Sequence, residues 1–206
     1  MIVKNYNLVI EKKVLLRDSE LYFQEGIINH VLGRNGSGKS QLAKDFILNR
    51  GGYFSKNTPN RTLVISSYSN LPKELTLNDM LKTVNWPLST EIYQLLGLEN
   101  IPNNIPLKKL SDGQNQKIKL YILLSRNKEI IILDEITNAL DKSTVNDIHV
   151  FLQEYHKKHP EKIIINISHD LSDIRILQGN YFIIDNQNLC RVSTADEAIK
   201  WYLGEI

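Results

Sequence analysis

Gly33-Arg34-Asn35-Gly36-Ser37-Gly38-Lys39-Ser40 follows the apolar run Ile27 to Leu32 and opens a segment of helical period, Lys39 to Leu48, with Gly51 and Gly52 placed to stop it. Strand, glycine-rich turn and helix in that order are what a phosphate-binding P-loop requires. The glycines permit backbone conformations that a β-carbon would obstruct, so successive N–H groups can converge on the β- and γ-phosphate oxygens of a nucleotide, helped by the helix N-terminal dipole. Lys39 adds a point charge to the phosphates, and the Ser40 hydroxyl can ligate Mg²⁺.

Outward from this turn, β-branched runs alternate with helical segments. Thr62 to Ser66, Ile130 to Leu133, Ile163 to Ile167 and Tyr181 to Ile184 read as buried strands, which predicts an α/β domain with a largely parallel sheet. Alternating stretches at Ile2 to Ile10 and Val14 to Phe23 predict a small antiparallel part of edge strands. Between Leu71 and Leu110, Pro72, Pro87, Pro102 and Pro106 interrupt helical segments at Leu75 to Val84 and Ser89 to Leu96. This predicts a helical insertion between two sheet strands, either a surface excursion or a lobe that moves. A final helix is expected over Ala195 to Leu203, behind one or two closing strands.

The chain has 206 residues, 42% of them hydrophobic and 23% charged, which fits a single compact domain over residues 1–206. That length buries roughly 70% of the unfolded surface. Cys190 is the lone cysteine, so disulfide-rich and zinc classes are excluded and a reducing cytoplasm is expected. A formal charge of +2 argues for neither nucleic acid nor an anionic membrane surface, and no nucleic acid partner is expected. No signal-peptide core is expected at Met1 to Tyr6, and the aliphatic runs fall far short of the roughly 18 residues of a membrane span.

Ile130-Ile-Ile-Leu-Asp134-Glu135 is an apolar strand ending in two adjacent carboxylates. Beside a P-loop, Asp134 can hold Mg²⁺ through its water shell and Glu135 can serve as general base toward the water opposite the γ-phosphate. Guanine specificity is unsupported, because Asn127-Lys128-Glu129-Ile130 lacks the final Asp of a base-reading Asn-Lys-x-Asp.

Leu110-Ser111-Asp112-Gly113-Gln114 precedes a helix expected over Asn115 to Ser125; alone it reads as an ordinary Ser-capped start. With its neighbours it resembles the Leu-Ser-Gly-Gly-Gln signature of the ABC (ATP-binding cassette) ATPase family. Thr137-Asn-Ala-Leu-Asp141 resembles that family's D-loop, and Ile163 to Asp170 its switch-histidine strand, with His169 as the switch. The resemblance implies ATP with Mg²⁺ and a head-to-tail dimer, homo- or heteromeric. Gly33, Arg34, Asn35, Gly36, Ser37, Gly38, Lys39, Ser40 and Gln41 would cradle ATP in one subunit. Ser111, Gly113, Gln114 and Asp141 would close it from the other. Ser40 and Asp134 would hold the metal, and Glu135 and His169 would be catalytic, His169 sensing the γ-phosphate and orienting water. Residues 71–125 would form the helical subdomain that carries the signature.

The pattern also departs from the family. Val64 to Asn70 offers no glutamine for the loop that links nucleotide to helical lobe; Ser67 or Tyr68 stands nearest. Gln41, Asp112 and Ile136 replace the usual Thr, Gly and Pro. The adenine-stacking position falls near Ile10, with Tyr6 about a turn too early, so the base contact is expected to be apolar. The family implies a nucleotide-binding subunit at the cytoplasmic face of a membrane, working on separate permease subunits, with export favoured over import and small bacterial exporters of peptides, antimicrobial compounds or haem as the analogues. The alternatives are a soluble cassette ATPase without transport and a hydrolysis-poor ATP-binding switch.

Overall fold

The computed structural model describes residues 1–66, 68–84 and 86–205. In chain order the elements are β1 (Ile2–Ile10), β2 (Lys13–Tyr22), β3 (Ile28–Gly33), α1 (Lys39–Leu48), α2 (Thr58–Arg61), β4 (Thr62–Ser66), α3 (Leu77–Thr83), α4 (Ser89–Leu95), α5 (Asp112–Leu124), β5 (Ile130–Asp134), α6 (Lys142–Lys158), β6 (Ile163–Ile167), α7 (Leu171–Ile176), β7 (Gly179–Asp185), β8 (Asn188–Val192) and α8 (Ala195–Leu203). The main sheet has the order β4-β5-β6-β3-β7-β8, parallel except for β8, which returns antiparallel to β7. Its central strands β5 and β6 are Ile-rich and buried throughout, because helices cover both faces. Register sets Ser66 opposite Asp134 and Asp134 opposite Ile167, so β4, β5 and β6 end together. Ligands of open α/β sheets bind at such carboxyl ends.

Period-two alternation divides the core. Ile131 and Leu133 face the apolar cluster that holds Leu77, Met80, Ile92, Leu96, Phe151 and Leu152, which makes the helical insertion and α6 one layer with the sheet. Ile130 and Ile132 face the opposite cluster, with Leu42 and Phe46 of α1 and Tyr6, Leu8, Leu16 and Leu21 of the hairpin. Burying a ring such as Phe46, tilted against Phe54 with centroids 4.5 Å apart, contributes about 1.5–3 kcal/mol relative to exposure.

The expected small antiparallel N-terminal part is β1 and β2, a two-stranded sheet of their own tied to the β7–β8 turn by Arg17 N–H donating to the Gln187 carbonyl at 2.8 Å. Two expectations need correction. Helix α1 is stopped not by Gly51 or Gly52 but by Asn49, left-handed at φ 45°, whose side chain bonds both backbone groups of Phe54. Helix α5 starts at Asp112, directly on its Ser111 cap, rather than at Asn115.

Candidate active site

Three loops meet at the carboxyl ends of β3, β5 and β6. The turn after β3 reaches its shape through Gly36 at φ 78° and Gly38 at φ 110°, left-handed conformations that disfavour any other residue. A β-carbon on Gly38 would also press on the Leu15 side chain of β2. Gly38 begins α1 with no side-chain cap among the described residues, so the first amide donors of the helix point into the turn. The Lys39 ammonium lies inside it, donating to the carbonyls of Gly33 at 2.7 Å and Arg34 at 3.4 Å. Ser37 N–H closes the turn onto the Arg34 carbonyl, and the buried Ser37 hydroxyl finds no partner among the described residues. Gln41 turns its side chain outward to Arg50, so its own contribution here is limited to the backbone.

Across the turn, the Ser40 hydroxyl donates to Asp134 Oδ1 at 3.2 Å. Burial pushes the Asp134 carboxyl above its ordinary pKa, with Glu135 adding to the rise and Ser40 and Lys39 opposing it. Burial lowers the Lys39 ammonium, opposed by Glu135 and Asp134. Glu135 takes a left-handed backbone, φ 56°, anchored by its N–H to the Ile167 carbonyl at 2.9 Å. A non-glycine residue held there is strained, and such strain gathers at working sites. Its Oε1 accepts the His169 Nδ1–H at 3.2 Å, while both side chains stay partly open to solvent.

The cavity at this turn, 420 Å³, is lined by Ile10, Glu11, Lys13, Leu15, Asn35, Gly36, Gly38, Lys39, Ser40, Gln41 and Glu135. Ile10 thus stands where the apolar base contact was expected, and Lys13 and Leu15 join it from β2; their side chains carry no sequence signal for this role. Tyr6 is no base-stacking residue. It is fully buried, donates to Asp45 Oδ2 at 2.8 Å, and burial raises its phenol far above the ordinary range.

The signature segment opens elsewhere. Ser111, Gly113 and Gln114 line a 510 Å³ cavity with Gly97, Lys117 and Thr144, and it shares no described residue with the cavity of the glycine turn. Ser111 and Gln114 form a reciprocal capping box: Ser111 Oγ accepts the Gln114 N–H at 3.2 Å and Gln114 Oε1 accepts the Ser111 N–H at 3.0 Å. A β-carbon on Gly113 would collide with Thr144 at the start of α6. Asp112 points away, toward a separate groove with Lys119 and Leu140, so its charge does not face the signature cavity. Asp141 caps α6, accepting from the Thr144 N–H at 3.0 Å and hydroxyl at 2.8 Å, bonds that hold its carboxyl below the usual range. Ser67 lies outside the described residues. Tyr68 is 79% exposed, with Lys44 over its ring.

The ABC transporter family pattern matches residues 16–138. The chain is 46% identical over its whole length, and over the whole of the relative, to the probable peptide export ATP-binding protein YydI of Bacillus subtilis. It is 24% identical to the methionine import ATP-binding protein MetN of Clostridioides difficile, across 95% of this chain and 68% of that one. In fold it matches cbiO1 of Clostridium perfringens, part of the ABC transporter complex cbiONQ, with TM-score 0.77 at 21% identity over 96% of this chain and 89% of that chain. The chain belongs to the ABC transporter ATPase family, and it is an ATPase of that family's α/β fold.

Proposed function

We propose that this chain powers peptide export, hydrolysing ATP between two cassettes arranged head to tail beneath separate membrane subunits. The observation that carries the reading is the split site. Lys39, Ser40, Asp134, Glu135 and His169 converge at one rim, whereas Ser111 and Gly113 open on another cavity of the same chain. A nucleotide in the glycine turn lacks a signature from its own chain, so a second copy or near-copy supplies it. The unpartnered Ser37 hydroxyl and the uncapped start of α1 suit phosphate oxygens. Ser40 and Asp134 form an all-oxygen pair that fits Mg²⁺, which would neutralise phosphate charge there.

In this reading Asn35 to Gln41 bind and orient the triphosphate, Lys39 offsetting its charge. Glu135 takes a proton from the attacking water, a role worth about 10²–10⁴ in rate. His169, hydrogen-bonded to Glu135, keeps the base turned toward the γ-phosphate. Asp141 and the capped Ser111 face the other subunit, and Ser111 can donate its hydroxyl proton without breaking its cap. Closure on ATP and opening after hydrolysis would move the lobe of residues 71–125 against the membrane subunits. Peptide cargo and outward direction rest on the likeness to YydI. Among the described residues no helix is long and apolar enough to cross a membrane; the pathway would come from partner chains, with this chain on the cytoplasmic face. Capture of the tagged chain from solubilised native membranes should bring down a polytopic membrane protein in stoichiometric amount; capture without one contradicts the transport reading.

A further inference from the structure

A buried polar joint lies behind the catalytic rim. Asp173, on α7, is 2% exposed at its side chain and receives two side-chain donors. Its Oδ2 accepts the Thr137 hydroxyl at 3.0 Å, and its Oδ1 accepts the His149 Nε2–H at 2.6 Å. Its own N–H donates to the Asp170 carbonyl at 3.2 Å, and Asp170 N–H donates to Ser168 Oγ at 2.9 Å, which ties the start of α7 to Ser168. Burial alone would raise this carboxyl, yet the bonds from His149 and Thr137 help to hold it below its usual range, so it stays ionised as a pure acceptor. His149 belongs to α6, is itself 1% exposed at its side chain, and has an Nδ1 with no partner among the described residues.

The placement of the donors is what points to function. Thr137 is two residues past Glu135, and its carbonyl anchors Leu140 N–H at 3.4 Å in the turn that leads to Asp141. Ser168 immediately precedes His169. Both segments wall one 190 Å³ cavity, which Glu135 and His169 also line. On the rim side the two segments are joined by the Glu135 N–H to Ile167 carbonyl bond and by the His169–Glu135 contact. Asp173 joins them again from behind. A buried ionic joint gives little net stability where apolar packing would do as well, but it defines geometry sharply.

We propose that Asp173 is a positioning residue for hydrolysis: by gripping Thr137 from the helix that directly follows Ser168 and His169 it fixes the spacing of Glu135 and His169, with His149 locking the carboxylate in place. The inference rests on the catalytic assignment of those two residues and adds a device that the assignment does not require. It concerns the chemical step rather than ATP binding, since none of Thr137, His149, Ser168 and Asp173 lines the cavity of the glycine turn.

Removing the buried carboxylate risks unfolding, so the variant of choice is Thr137→Val, which keeps shape and deletes one donor. Steady-state ATPase measurements on the full chain should give kcat about tenfold lower with KM within twofold of the native value, a misplacement effect. Thr137→Ser, which retains the hydroxyl, should restore at least half of the native kcat. A Thr137→Val enzyme within twofold of native kcat, a KM that rises as far as kcat falls, or no rescue by serine would each overturn the proposal. Glu135→Gln is the control: if it abolishes turnover while Thr137→Val does not, only the positioning role fails. If Glu135→Gln keeps full turnover, the catalytic assignment fails and this inference with it.

Discussion

Two helix starts in this molecule look alike in sequence and differ in chemistry. Helix α1 opens on Gly38 in a left-handed conformation, without a side-chain cap among the described residues, and beside it lie a buried lysine and the unpartnered Ser37 hydroxyl. Helix α5 opens on Ser111 inside a complete capping box, with the Ser111 and Gln114 amide donors bonded reciprocally to the Gln114 and Ser111 side chains. In the proposed reading the first is an anion site, because uncapped N–H groups gain most from a phosphate. The second is stable by itself and spares the Ser111 hydroxyl proton, the early Asp112 and Gly113 amides and a dipole end. On that reading the two need not act at the same step: the α1 end would bind nucleotide within one chain, and the α5 end would add to what another chain holds.

That contrast can be broken at either end. Lys39→Ala removes a charged donor from the α1 site, and each hydrogen bond to a charged group is worth about 1.5–3 kcal/mol. ATP affinity measured calorimetrically on dilute protein should fall by about two orders of magnitude. Ser111→Ala in the same assay should leave affinity within twofold, yet turnover at high protein concentration should drop about tenfold. If Ser111→Ala weakened ATP binding to the dilute chain as Lys39→Ala does, the two starts would be serving one site and the division would be wrong.

A smaller effect sharpens the electrostatic side of the comparison. Asp134 has a folded-state pKa raised by burial, so its protonated form is favoured in the fold. Its contribution to stability is therefore fully present below the unfolded carboxylate range and is lost as pH rises through the raised folded value. At neutral pH the ionised group weakens the metal-free fold. Asp134→Asn should raise the metal-free melting temperature by about 2 °C at pH 7, with a smaller gain in acid, while Mg²⁺-dependent turnover disappears. A melting temperature that falls at pH 7 would mean that its bond to Ser40 outweighs the burial.

Much of this was legible in the sequence, and the reasons lie in particular residues. Ile130 to Leu133 and Ile163 to Ile167 announce buried parallel strands because both faces are covered and no polar residue interrupts the run until Asn166. The glycine turn and the adjacent carboxylates are legible because phosphate chemistry demands those residue types at strand ends, whereas His169 is legible only through the resemblance of Ile163 to Asp170 to the family's switch-histidine strand. Helix α6 is not, although it is the longest element: its core positions Ile148, Phe151, Leu152 and Tyr155 are interleaved with His149, Gln153 and Glu154. The Asp173 joint is equally hidden, since Thr137, His149 and Asp173 come from three separate elements and meet only through tertiary packing. The lining from β2 escapes for the same reason, as Lys13 and Leu15 reach the glycine turn from the separate hairpin sheet.

If one nucleotide needs two chains, blocking hydrolysis should hold the closed form, and light scattering on Glu135→Gln with saturating ATP and Mg²⁺ reads it out. The mass should double with ATP and not with ADP, and Ser111→Ala placed in the same background should reduce the doubling. A mass that stays at that of one chain at every ATP concentration would contradict the need for two chains.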